Sequence, residues 1–120
     1  MAARNTGFGE KPSVKVFYDK WNFSDADFND VLLGIEEEGI PYDLQGKETS
    51  DVLELAYEAS RSSRVGVGIG ISKEGIVLQY EKLEKDSPIF RIKIYQTDLY
   101  RIIGSNAARL VKKMPFKKLD

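Results

Sequence analysis

Residues 65–80 read VGVGIGISKEGIVLQY. Val65 to Ile71 alternates strictly, the period of a strand, and Ile76 to Tyr80 is a second short apolar run. Between them Ser72 to Gly75 is a tight connection, and a connection that short joins only antiparallel neighbours. Alternation places Gly66, Gly68 and Gly70 on one face, where a missing side chain lets a helix lie very close to the sheet. Their spacing is neither GxGxxG nor GxxxxGK[ST], and they lie within a strand instead of after one, so no phosphate loop and no cofactor-binding residue is assigned to them.

Upstream, Val14, Val16 and Tyr18 alternate with Lys15, Phe17 and Asp19 and predict a first strand. Ser24 is a good N-cap with Asp27 completing a capping-box pattern, and Phe23 and Phe28 hold the positions of a hydrophobic staple. The helix they open runs from about Asp25 to Glu38, with Phe28, Val31, Leu32 and Ile35 as its apolar stripe. Gly39 suits a left-handed C′ position and Pro41 prevents resumption. Tyr42 to Gln45 reads as a second strand. Thr49 or Ser50 then caps a helix to about Arg61 whose buried face is Val52, Leu55, Ala56 and Ala59. Downstream, residues 81–88 are charged and loop-like, Ile89 to Tyr95 is a fifth strand, and Thr97 or Asp98 opens a last helix to about Lys113, closed by Pro115.

Two helical crossovers followed by a hairpin predict an α/β fold: a three-layer sandwich with a five-stranded mixed, mostly parallel sheet, one antiparallel strand, and helices on both faces. Residues 1–12, with Gly7, Gly9 and Pro12, read as a flexible arm, and residues 13–120 as a single domain.

The 120 residues carry a net charge of −1 and contain neither cysteine nor histidine. Thiolate nucleophiles, imidazole bases and the usual zinc ligand sets are therefore excluded, and no catalytic residue is assigned. Near-neutral charge argues against a polyanion partner, so neither nucleic acid nor an anionic membrane is expected. The basic cluster Arg109, Lys112, Lys113, Lys117 and Lys118 is read as compensation of a helix dipole. With no apolar segment of spanning length, the protein is expected in the cytoplasm.

The stretch 31–42, VLLGIEEEGIPY, breaks one electrostatic rule. Glu36, Glu37 and Glu38 fall in the last turn of a helix, where each carboxylate is unfavourable by roughly 0.3–1 kcal/mol when exposed. Helical geometry turns Glu37 away from the apolar stripe and sets Glu36 and Glu38 at its boundaries. Such a run reads first as a solvated acidic surface; Glu37 could also accept a partner's arginine or give one oxygen to a hard cation such as magnesium.

Together with ASRSSRVGVGIGI at 59–71 and GSNAARLVKKMPF at 104–116, VLLGIEEEGIPY resembles the small subunit of the diol and glycerol dehydratase reactivases, the reactivating factors of adenosylcobalamin-dependent dehydratases. The likeness runs in order from about Val14 to Phe116. It departs in the N-terminal arm, in the loop 81–88, and at Lys113, where the family often has glycine. The resemblance implies a chaperone-like, non-catalytic subunit with the fold of the dehydratase medium subunit. It further implies a large partner subunit that binds ATP or ADP, a two-plus-two heterotetramer, and release of damaged cobalamin from the dehydratase by subunit exchange. It implies that Glu37 shares a magnesium ion, or another divalent cation, with the large subunit, with Glu36 and Glu38 as further interface charges, and it admits a bacterial microcompartment as location. The competing readings are a short medium-type subunit of the dehydratase itself and a generic α/β module for a nucleotide or metabolite.

Overall fold

The structure is a computed structural model and describes residues 12–119; the proposed N-terminal arm, apart from Pro12, lies outside the described residues. Five strands, β1 (Val14–Asp19), β2 (Tyr42–Lys47), β3 (Val67–Ser72), β4 (Gly75–Tyr80) and β5 (Phe90–Ile92), form one sheet in the order β2-β1-β3-β4-β5. β1 pairs in parallel with β2 and β3, while β4 is antiparallel to both β3 and β5, so β4 alone runs against the others. Helices α1 (Asn29–Glu37) and α3 (Tyr100–Lys112) cover one face and α2 (Val52–Ser62) the other. The expected three-layer α/β sandwich with a mostly parallel sheet is the observed one.

Strand alternation divides the core between the faces. Val14, Val16, Ile69, Ile71, Ile76 and Leu78 pack under α1 and α3 against Phe28, Val31, Ile35 and Ile103. On the other face Phe17 meets Leu55 and Ala59, and Val77 meets Val52 and Ala56. Here the strand glycines act as the alternation suggests: a Cβ at Gly70 would stand 2.5 Å from the backbone nitrogen of Ala56, and one at Gly68 would collide with that of Ser60.

The stripe has two glycines, not three. β3 begins at Val67, because Val65 and Gly66 close a turn in which the Gly66 N–H donates to Ser63 O at 3.0 Å. Gly66 has φ +76, and a left-handed residue leaves the pleat. The fifth strand is also shorter than Ile89 to Tyr95. Directly after Ile92 the Lys93 N–H donates to Gln96 Oε1 at 2.8 Å and the Gln96 N–H to Lys93 O at 3.0 Å, a turn that ends the ladder. Conversely, β2 extends two residues further, to Lys47, because all six of its residues find partners on β1.

Helix starts differ in detail. The Ser24 N–H donates to Asp27 at 2.8 Å as the capping box requires, yet residues Asp25–Phe28 form a 3-10 turn before α1 proper. The cap of α2 is Asp51, neither Thr49 nor Ser50: its carboxylate accepts from the Glu54 N–H at 3.1 Å, and Thr49 Oγ1 accepts from the Asp51 N–H. Glu74, on the β3–β4 turn, accepts from the Val52 N–H, so a side chain of the protein already occupies that helix start. The charged loop 81–88 is pinned from below by buried Gln79, which donates to Glu84 O at 2.9 Å, and from the side by a Lys85–Glu54 ion pair.

Candidate functional site

The three glutamates stand where α1 ends beside α3. Both helices follow parallel strands and run in the same sense, so Asp30 lies near Arg101 at their starts and Glu38 near Lys112 at their ends. Two single glycines set the spacing. A Cβ on Gly104 would collide with the Val31 carbonyl, and one on Gly34 with the Arg101 carbonyl, so the helices touch backbone to backbone. This close joint fixes which side chain of the acidic run is enclosed against α3.

Glu38 is the enclosed one. Its side chain is only 10% exposed and accepts from Ser105 Oγ at 2.5 Å, Arg109 Nε at 3.0 Å and Lys112 Nζ at 2.9 Å, with Lys117 Nζ at 3.7 Å. Lys112 Nζ also donates to the Glu38 carbonyl at 2.7 Å. The Ser105 hydroxyl, then the lysine and the arginine, hold this carboxyl down to about 2 against the opposing effect of burial. The unfavourable charge at the end of α1 is thereby more than offset by cations from the end of α3, and the last carbonyls are closed by the Gly39 N–H donating to Glu36 O at 2.9 Å with Gly39 at φ +80.

Glu37 and Glu36 face outward. The Glu37 side chain is 49% exposed, and its Oε2 accepts from Arg101 Nη1 at 2.8 Å, while Arg101 Nη2 reaches Asp30 Oδ1 at 3.4 Å. Glu36 is exposed. The three sequence-predicted site residues thus separate: Glu36 and Glu37 are presented at the surface, and Glu38 is turned into the chain as a joint between two helices. Among the described residues no group of three or more acidic side chains could hold a metal ion. The chain's own donor set therefore fits a divalent cation only as one carboxylate arm, Glu37, with other ligands supplied from outside.

The basic end is also folded inward. Asn106, fully buried, donates to Lys117 O at 2.9 Å and accepts from the Lys117 N–H at 2.7 Å, holding the tail against α3. Phe116 meets Phe90 edge-on at 5.1 Å. Arg109, Lys112 and Lys117 surround Glu38, so these three cations serve a carboxylate of α1 and are not simply a solvated end that compensates the dipole of their own helix. Arg101, Ser105 and Asn106 were not singled out from sequence. The signal was present, since Arg101, Ser105, Arg109 and Lys112 recur at helical spacing along one face of α3, but nothing in that stripe names Glu38 as its target.

The family model described as the dehydratase medium subunit matches residues 11–117. The chain is 47% identical over 93 residues to the propanediol dehydratase-reactivating factor small subunit of Citrobacter freundii, covering 76% of this chain and 79% of that protein. It is 42% identical over 97 residues to the diol dehydratase-reactivating factor small subunit of Klebsiella michiganensis, covering 80% and 78%. Among solved structures it resembles a chain of diol dehydratase-reactivating factor complexed with ADP and Mg2+, with a TM-score of 0.83, 37% identity, and coverage of 91% of this chain and all of that one. It likewise resembles a chain of glycerol dehydratase reactivase, with a TM-score of 0.84, 33% identity, and coverage of 92% and 100%. The chain belongs to the dehydratase medium subunit family and, within it, to the small subunits of the dehydratase-reactivating factors.

Proposed function

We propose that this chain is the non-catalytic small subunit of an ATP-dependent, chaperone-like reactivase that frees a cobalamin-dependent dehydratase of damaged coenzyme. The nucleotide is held by a large partner subunit, and the assembly is a two-plus-two heterotetramer. Because the small subunit has the fold of the dehydratase medium subunit, the large subunit exchanges one for the other, and steric conflict opens the dehydratase. Identities of 42–47% to propanediol and diol dehydratase factors, against 30% to a probable glycerol dehydratase factor, favour a diol dehydratase as client. The cytoplasm, or a bacterial microcompartment within it, is the place of action.

The observation that carries this reading is the relatedness: the chain is 42–47% identical over 76–80% of its length to reactivating-factor small subunits and shares the fold of two solved reactivase chains, which favours a reactivase subunit over a subunit of the dehydratase itself. At the interface, α1 presents Glu37 and Glu36 to the large subunit from a helix end held rigid by Gly34, Gly104 and Glu38. A magnesium ion, when bound, would be met on this side by Glu37 and would supply positive charge at the boundary with the large subunit. The part played by this chain is one carboxylate arm, Glu37, on a fixed base.

Co-expression with the large subunit followed by affinity capture tests the assignment. A stable complex with ATPase activity, and none in the isolated small subunit, is expected. Failure of the two chains to associate, or tight ATP or cobalamin binding by this chain alone, would overturn it.

A further inference from the structure

Arg101 is the side chain that meets Glu37 on its exposed side. Its own backbone carbonyl is the group pressed against Gly34, so the stem of Arg101 starts from the tightest point of the α1–α3 joint. From there the guanidinium spans two carboxylates of α1, Glu37 at 2.8 Å and Asp30 at 3.4 Å. We propose that Arg101 holds the place of the cation at Glu37 and so sets how much divalent cation the assembly requires. This rests on Glu37 being the interface ligand.

The chemistry follows from competition. Glu37 Oε2 already accepts a charge-assisted bond from the guanidinium, so a divalent cation approaching this carboxylate meets a positive charge beside it and an oxygen that is partly engaged, and it binds more readily once the Arg101–Glu37 bond yields. That bond is suited to yielding, because the Arg101 and Glu37 side chains are 45% and 49% exposed and such pairs are weak. Asp30 gives the displaced guanidinium a second acceptor on the same helix, so the exchange strands no cation. The neighbouring Glu38 is the opposite case: three donors enclose it within the chain, and it is not available for exchange.

The test is the affinity of this chain for its large subunit across a magnesium titration, with Arg101→Gln, Glu37→Gln and Lys113→Gln beside the native chain. Arg101→Gln should lower the magnesium concentration for half-maximal assembly by about two- to five-fold, the strength of an exposed pair. Its unfolding midpoint should stay near the native one. Glu37→Gln should abolish the magnesium dependence. Lys113→Gln removes the same charge from an exposed position outside the Arg101–Glu37–Asp30 contacts and should leave the half-point in place. If Glu37→Gln abolishes the dependence while Arg101→Gln leaves the half-point unmoved, the role of Arg101 is overturned and that of Glu37 stands. If Glu37→Gln keeps the native dependence, the interface reading itself fails. Equal shifts from Arg101→Gln and Lys113→Gln would assign the effect to overall charge and overturn the contact.

Discussion

The two faces of the sheet solve close packing differently. Under α2 the small residues are in the strand: Gly68 and Gly70 recede and let the helix backbone approach β3. On the other face β3 and β4 carry isoleucines and leucine, and the small residues are in the helices, where Gly34 and Gly104 bring α1 and α3 against each other. A helix alone on a sheet needs proximity to the sheet; two helices sharing a face need proximity to one another. The second arrangement also creates a polar seam, and that seam is where the acidic run is sorted into an inward Glu38 and an outward Glu37.

The contrast can be broken most severely at the glycines. Gly104→Ala should destabilise the fold by about 3 kcal/mol and Gly68→Ala by about 2 kcal/mol, measured by denaturant unfolding. Both insert a methyl group against backbone. The first should cost more because a Cβ at Gly104 would stand closer to the Val31 carbonyl oxygen than one at Gly68 would to the Ser60 nitrogen, and the enclosed Glu38 keeps α1 from moving off α3. Equal losses, or a greater loss at Gly68, would remove the distinction between the two joints.

A smaller change probes the seam itself. Glu38→Gln leaves Arg109, Lys112 and Lys117 facing one another without a counter-charge and should cost about 1.5 kcal/mol. Its pH signature has a definite sign. A carboxyl whose folded pKa is about 2, against an ordinary 4.5, contributes stability that is complete above about 4.5 and is lost as pH falls toward 2. Native unfolding midpoints should therefore fall across that window, and those of Glu38→Gln should fall less steeply. Parallel curves for the two proteins would show that Glu38 is not the seam's titrating group.

The smallest effect is a gain. The ends of α1 and α3 both require a left-handed residue, supplied by Gly39 at φ +80 and by Lys113 at φ 60. A side chain with a Cβ is disfavoured there, so Lys113→Gly should raise stability by about 1 kcal/mol in the same unfolding experiment. No gain would mean that contacts of the lysine offset its backbone cost.

Much of this was legible in the chain. Alternation gave β1 and the body of β3, the Ser72–Gly75 connection gave the antiparallel β4, and Gly39 with Pro41 gave the end of α1, because each of these is a local signal carried by neighbouring residues. Where competing local bonds decide an element end, the reading slipped by a few residues: Gly66 belongs to a turn, Gln96 terminates β5, and Asp51 rather than Thr49 or Ser50 caps α2.

The candidate site divides along the same line. Helical periodicity placed Glu37 outward, which the structure bears out, and marked the three glutamates as electrostatically out of place. It could not tell that Glu38 would be enclosed, because the residues that enclose it lie 67 to 74 positions away at Ser105, Arg109 and Lys112. Nor could it pair Gly34 with Gly104, two isolated glycines on separate helices. The sequence by itself determined the elements, their order and the faces they bury, since these follow from spacing along one chain. Only the tertiary structure decided which charges meet, because the pairing of α1 with α3 depends on two backbones touching at positions that no local pattern connects.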